Sequence, residues 1–310
     1  MKPVSHWLKS LAILSLTVIA TGTPLISSKS WATTADLAQD VDSVEILVPA
    51  PELQKSRSIN IPVPPPERRD DRICEQFLQP ALDTIIESPS FAGGKWGILV
   101  TSLSKENTFY SRNADQYLIP ASNVKLLTTA AALQKFDSRT SIGSKSLREW
   151  VNVTNLNSNN YYANTLLSRV GGSQVARNIL TRLGIDPKSY RQADGSGLSR
   201  QNVATPRALV NTLKAMSSAQ GREVFYASLP VAGVSGTLRN RLRLTPAQGR
   251  VHAKTGTLRG VRALSGYLDH PDYGVMVFSI MVNQPSQSGA VLVGAIDDIV
   301  LRLARLTPCR

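Results

Sequence analysis

The sequence predicts an α+β fold: one antiparallel sheet flanked by helices drawn from both ends of a single domain. Three observations predict it. Apolar residues with helical spacing (Ile73, Phe77, Leu82, Ile85, Ile86) lead into a hairpin pattern, an alanine-rich apolar helix follows, and two strand-like runs near the carboxyl end precede a closing helical pattern.

In chain order, residues 74–87 read as the first helix. Residues 96–100 and 107–110 flank a polar turn and read as a hairpin. Residues 122–136 form the long apolar helix. The polar link at residues 138–157, which contains Gly143, reads as a loop. Thr205-Pro206 opens a further helix with a capping hydroxyl and a proline at its first position. Residues 262–268 and 275–282 read as strands, and residues 296–306 as the closing helix.

With 310 residues, 42% hydrophobic and 18% charged, the chain is neither disordered nor fibrous, and it can bury a sizeable core. A net charge of +13 points to anionic partners, but no nucleic-acid-binding motif accompanies it, so no nucleic acid is expected. Three histidines (His6, His252, His270) and two cysteines cannot supply a metal cluster of known spacing, so no metal is expected. The same scarcity, without a Gly-x-Ser-x-Gly elbow, disfavours a Ser-His-Asp hydrolase. His252 and His270 read as structural or surface residues.

Residues 1–32 read as an export signal: Lys2 and Lys9 precede an apolar run at residues 11–26, followed by the small-x-small site Ser30-Trp31-Ala32. Gly22 and Pro24 interrupt the run, which is shorter than the ~20 apolar residues of a membrane span. No stable span is expected after cleavage, although an uncleaved anchor is the other reading. Export places the chain in the periplasm or another extracytoplasmic part of the envelope. Residues 33–70, with Pro49, Pro51, Pro62, Pro64, Pro65 and Pro66, read as an extended tether, and residues 71–310 as the folded domain. In an oxidising compartment Cys74 and Cys309 are most simply one disulfide joining the two ends of that domain, the alternative being two buried thiols.

Three short motifs carry chemistry. Ser122-x-x-Lys125 sets a hydroxyl at the head of the long helix and an amine one turn on, on the same face. A lysine kept from water has a lowered pKa and accepts a serine proton, while the helix amino terminus favours developing negative charge. A Ser-x-x-Lys arises by chance about once in a chain of this size, and for this motif alone an ordinary cap with a solvated lysine is the favoured reading. Ser158-Asn159-Asn160 offers a hydroxyl and a carboxamide two residues apart, or simply an Asn-rich turn. Lys254-Thr255-Gly256-Thr257 sits on a probable strand, where the cation and hydroxyls suit a carboxylate and Gly256 admits close approach of a ligand.

In this order the motifs resemble those of penicillin-binding proteins and serine β-lactamases. With Asp194-Gly195-Ser196-Gly197-Leu198-Ser199-Arg200, Asn202, Ser235-Gly236-Thr237-Leu238 and the run from Phe278 to Asn283, the chain is most similar to the D-alanyl-D-alanine carboxypeptidase/endopeptidases called low-molecular-mass class C penicillin-binding proteins. The resemblance covers about residues 74–309 and implies a β-lactamase/transpeptidase-like fold. It implies Ser122 as nucleophile, Lys125 as general base and Ser158 as proton relay to the leaving amine. Asn160 would hold Lys125 and the substrate amide. Lys254, Thr255 and Thr257 would bind the terminal carboxylate, and the N–H groups of Ser122 and Thr257 would form the oxyanion hole. The implied partners are peptidoglycan stem peptides, with β-lactam antibiotics as acylating inhibitors, and the resemblance implies that no organic cofactor is needed. Members of this branch carry extra domains between the first two motifs. Here Ser158 follows Ser122 by only 36 positions, so those domains are expected to be absent, and a degenerate wall-binding protein is an alternative. A β-lactamase is the other, but Asp186, Asp194 and Glu223, the carboxylates between the second and third motifs, lack a Glu-x-x-Asn context.

Overall fold

The computed structural model describes residues 73–309; the signal and tether read at residues 1–32 and 33–70 lie outside the described residues. Five strands form an antiparallel sheet: β1 (Lys95–Ser102), β2 (Thr108–Arg112), β3 (Val251–Leu258), β4 (Val261–His270) and β5 (Gly274–Asn283). Their order across the sheet is β2-β1-β5-β4-β3, so β3, which carries the Lys-Thr-Gly motif, is an edge strand. The central strand β5 is apolar almost throughout because both of its faces are covered, and alternation assigns its residues to two cores.

On one face, Ile98, Val100, Phe278, Ile280 and Leu264 pack with α1 (Leu78–Ile86) and, as the last of the eight α-helices among the described residues, α8 (Gly289–Ala304). On the other, Leu99, Val277, Met281 and Tyr267 meet the remaining helices: α2 (Val124–Lys135), α3 (Leu147–Leu156), α4 (Asn160–Val170), α5 (Gly172–Arg182), α6 (Pro206–Met216) and α7 (Arg222–Ala227). α2 runs through the middle of this second layer, and all its residues from Val124 to Leu133 are buried. Burying a leucine such as Leu126 or Leu127 stabilises by roughly 1.5–3 kcal/mol, and truncating either to alanine is expected to cost about 2–5 kcal/mol.

Several boundaries differ from the sequence reading. The first helix starts at Leu78, after a 3-10 turn at Glu75–Phe77. The closing helix starts at Gly289, where Ser288 accepts a capping bond from Val291 N. The link at residues 138–157 is not a loop: a two-stranded hairpin (Ser141–Ile142 with Lys145–Ser146) leads into α3. Ser146 and Glu149 form a reciprocal capping box that starts α3, and Trp150 Nε1 ties the helix back to Ile142 O at 2.9 Å. At the domain's ends, Ile73–Cys74 pairs in parallel with Leu306–Thr307, and a disulfide joins Cys74 to Cys309 with Cα atoms 4.9 Å apart.

Candidate active site

The nucleophile candidate sits where the chain turns sharply into α2. Ala121 is buried with φ +48, a left-handed backbone rarely taken by a residue with a side chain. It opens the 3-10 turn Ala121–Asn123, which places Ser122 in the first turn of the helical stretch, where backbone N–H groups have no intrahelical acceptor. The turn is pinned from below. Asn123 Nδ2 donates to Ser265 Oγ (2.7 Å), and Ser265 Oγ donates to Ser279 Oγ (2.9 Å), linking the turn to β4 and β5. Asn283 holds the approach by accepting from Ile119 N (2.8 Å) and donating to Ile119 O (3.1 Å).

Lys125 is fully buried, and its ammonium donates to Ser122 Oγ (2.9 Å), Asn160 Oδ1 (2.7 Å) and Ser196 O (2.5 Å). Burial lowers its pKa to about 8, with Asp194 pulling the other way. Each residue of Ser158-Asn159-Asn160 has its own task at the head of α4. Ser158 adopts φ +56, Asn159 caps the helix by accepting from Tyr162 N (3.0 Å), and Asn160 delivers its carbonyl oxygen to Lys125. Ser158 lines the same cleft as Ser122 but makes no hydrogen bond to Lys125, whose partners among the described residues are those three.

On the opposite wall, Gly256 is required by close approach: a Cβ there would lie 2.6 Å from Pro120 O. The outer edge of β3 is half covered, since Ala232 N donates to Val251 O and Ala253 N donates to Pro230 O (2.9 Å each). Ala253 N–H therefore points off the sheet, and with a period of two the N–H groups of Thr255 and Thr257 do as well, beyond the covered part of the edge. Thr255 and Thr257 line the cleft, and Thr255 Oγ1 shares a 2.7 Å hydrogen bond with Thr237 Oγ1. Lys254 is fully buried behind that wall and donates to Thr255 O (3.0 Å); burial and the nearby Lys125 hold its pKa well below that of an ordinary lysine. The cleft, about 390 Å³, is lined by Ser122, Ser158, Asn160, Leu198, Thr237, Arg241, Thr255, Thr257 and Val293. Among the described residues, no group of three or more His, Cys, Asp or Glu side chains could hold a metal ion.

The Asp194–Asn202 segment supplies the floor beside Lys125. Asp194 accepts from Ser196 N (2.8 Å), Gly197 N (2.6 Å) and Ser199 N (2.7 Å) and from Ser196 Oγ (3.0 Å). Burial alone would raise its pKa, but these donors outweigh it and hold the carboxyl below its usual range. The loop so folded presents Ser196 O to Lys125. His252 stacks on Tyr226 with ring centroids 4.5 Å apart, and His270 Nδ1 accepts from Asp272 N (3.1 Å) and Tyr273 N (3.3 Å), so neither histidine belongs to the cleft.

Sequence reasoning gave no role to Asn123, although it lies within the first motif, or to Ser265 and Ser279, because a serine on a β-strand is ordinary and gives no local signal. It also missed Arg241, which lies in a loop and is tied to Asp297 on α8.

Comparison with known proteins agrees with this architecture. The chain is 36% identical over 181 residues to penicillin-sensitive carboxypeptidase A of Dictyostelium discoideum, covering 52% of this chain and 35% of that protein. It is 41% identical over 163 residues to the D-alanyl-D-alanine carboxypeptidase of Actinomadura sp. (strain R39), covering 47% of this chain and 30% of that protein. The chain thus spans about a third of the length of these curated relatives. Penicillin binding protein 4 of Haemophilus influenzae superposes with a TM-score of 0.63 at 14% identity, over 72% of this chain and 99% of that one. A class A β-lactamase from Clostridium kluyveri gives 0.58 at 16% identity, over 72% and 97%, so the likeness in both cases is one of fold. The profile of one family matches residues 78–145 and 140–306, taking in all three motifs and both layers of helices, and the chain belongs to that family, the D-Ala-D-Ala carboxypeptidase 3 (S13) family.

Proposed function

We propose that the chain is an exported serine D-Ala-D-Ala carboxypeptidase/endopeptidase acting on peptidoglycan stem peptides through an acyl-enzyme. The observation that carries this reading is the buried Lys125 amine, 2.9 Å from Ser122 Oγ and held by Asn160. With a pKa lowered to about 8, part of it is neutral near pH 7 and accepts the Ser122 proton as Oγ attacks the carbonyl between the two terminal D-alanines. The N–H groups of Ser122 and Thr257 stabilise the oxyanion. Ser158 donates a proton to the leaving amine as the C–N bond breaks and is reprotonated by the proton that Lys125 took from Ser122, and the Thr255 and Thr257 hydroxyls receive the terminal carboxylate. Water then cleaves the ester and regenerates Ser122. A β-lactam places its amide carbonyl at the same position and leaves the acyl group on Ser122.

A β-lactamase reading is weaker, because rapid deacylation needs a base beside the ester. Asp186, Asp194 and Glu223 are absent from the cleft lining, and Asp194 is already saturated with four donors. Incubation with a fluorescent penicillin, followed by mass spectrometry of the adduct, tests the proposal. A long-lived adduct on Ser122, absent from Ser122→Ala, is expected, together with release of D-alanine from a D-Ala-D-Ala peptide. Folded protein that takes up no label, or labelling that persists in Ser122→Ala, overturns it.

A further inference from the structure

Apart from the catalytic cleft, a smaller cavity of about 130 Å³ opens beside the first turn of α5, lined by Ser173, Gln174, Arg177, Tyr190, Arg191 and Gln192. Two of these residues are arginines and none is an acid. Ser173 and Gln174 belong to the first turn of an eleven-residue helix, where backbone N–H groups have no intrahelical acceptor and the dipole favours negative charge. Arg177, one turn on, is anchored by Nη2 donating to Pro187 O (2.7 Å), and Arg191 by Nε donating to Gln201 O (3.2 Å). Neither belongs to an ion pair among the described residues. The acids nearest to them in sequence are engaged by backbone: Asp186 accepts from Lys188 N, and Asp194 from Ser196, Gly197 and Ser199 N.

Tyr190 supplies a second and independent sign of a ligand. The residue is 4% exposed, and its buried hydroxyl has no hydrogen-bond partner. Proteins seldom leave such a donor unmatched, because its lost hydration is then not replaced. Burial pushes the phenol's pKa up to about 12, against the pull of the Arg177 charge, so near neutral pH the group is an uncharged donor beside a cation. Gln192, also buried, is fixed by Nε2 donating to Thr128 Oγ1 (2.7 Å), which makes that wall rigid. The donors come from separate elements, α5 and the short strand Tyr190–Arg191, and therefore from different directions. That arrangement suits a tetrahedral oxyanion better than a planar carboxylate.

We propose that this cavity is a binding site for a single phosphate group, held by the Arg177 and Arg191 guanidinium groups, the Tyr190 hydroxyl and the first turn of α5. Phosphate supplies the acceptor that the hydroxyl lacks and the charge that the two arginines lack. Nothing in this assignment depends on the hydrolase reading of the cleft.

The test is titration of inorganic phosphate into the full chain at constant ionic strength, read by calorimetry and by the unfolding temperature. Saturable binding and a phosphate-dependent rise in unfolding temperature are expected. Arg177→Gln should weaken binding at least about tenfold, as loss of a charge-assisted bond does. Because that variant also loses the bond to Pro187 O, Tyr190→Phe is the sharper one. Removing an unmatched buried hydroxyl should leave the unfolding temperature without phosphate unchanged or higher, yet weaken phosphate binding about tenfold. A hydroxyl with only a structural role would give the reverse: a lower unfolding temperature and unchanged phosphate affinity. Displacement of phosphate by glycerol phosphate supports a monoester end as the occupant, and displacement by poly(glycerol phosphate) alone supports a polymer backbone. Absence of saturable binding, an equal response to chloride, or full affinity in both variants overturns the proposal.

Discussion

Gly197 packs against the carbonyl of Ala121 so closely that a Cβ on residue 197 would overlap that oxygen. Both residues have positive φ, +89 at Gly197 and +48 at Ala121. The turn carrying Ser122 and the loop carrying Ser196 thus brace one another, and the distance between nucleophile and base depends on their fit.

Gly197→Ala is accordingly expected to push the turn at Ala121 away from the loop. A misplacement of under an ångström at a nucleophile costs tenfold or more in rate, so penicillin acylation of Ser122 should slow by at least about tenfold. The left-handed backbone adds roughly 1–3 kcal/mol of destabilisation. Labelling time courses and thermal unfolding of the same preparation read both effects; wild-type acylation in the variant would refute the bracing.

The acylation rate should rise with pH through a midpoint near 8 and level off above it. Lys125 acts as a base only when neutral, and burial lowers its ammonium from the ordinary 10.5 to about 8. Stability follows the same sign. The cost of holding a buried charge is fully present below pH 8 and is relieved as pH climbs towards the unfolded value, because there the unfolded chain binds the extra proton. Second-order acylation constants measured from pH 6 to 10 decide the matter, since a flat or falling profile would remove Lys125 from the role of base.

Asp194→Asn should move that midpoint downward. The Asp194 charge raises the Lys125 pKa against the effect of burial, so neutralising it leaves desolvation less opposed. The variant should also lose about 2 kcal/mol of stability as charge-assisted bonds to the 196–199 backbone weaken. In the parent, this contribution is fully present above the ordinary 3.8 and disappears as pH falls through the lowered native value. An upward shift of the midpoint would contradict the electrostatic account.

Removing the disulfide by Cys74→Ala/Cys309→Ala should destabilise the domain substantially. The bridge closes a sequence separation of 235 residues, for which the loop-entropy relation gives about 5 kcal/mol as an upper figure. Urea unfolding with and without reductant measures it directly, and coincident curves would show that the crosslink adds nothing.

Much of this was legible in the sequence because it rests on local pattern. The apolar strands β1 and β5 and the alanine-rich α2 announce themselves, as do Thr205 and Pro206 at the head of α6. The three motifs point to Ser122, Lys125, Ser158, Asn160, Lys254, Thr255, Gly256 and Thr257; Ser122, Ser158, Asn160, Thr255 and Thr257 line one cleft, whereas Lys125 sits beneath Ser122, Gly256 packs against Pro120 O, and Lys254, read as a carboxylate ligand, is buried behind the wall with its ammonium on Thr255 O. α3 escaped because its buried face runs from Leu147, Trp150 and Val151 into the polar Thr154 and Asn155; the spacing of the first three and the capping box of Ser146 with Glu149 were the signals available. Arg241 was invisible for a different reason. Its significance lies in meeting Asp297 from the far end of the chain, and no spacing rule reports a contact across 56 positions.

Ser265 and Ser279 stand directly opposite one another in the ladder between β4 and β5, sealed from solvent and bonded to each other, with Ser265 also accepting from Asn123. Strands that are greasy on both sides have little to tell them which neighbour to face, since sliding by one step swaps one oily layer for another. Two hydroxyls in the middle remove that ambiguity: a slipped ladder would bury them against Leu264-side hydrocarbon with nothing to bond. The pair therefore works as an alignment key, and apolar replacements of similar size there would be felt first in the yield of correctly assembled protein, before any change in its melting behaviour.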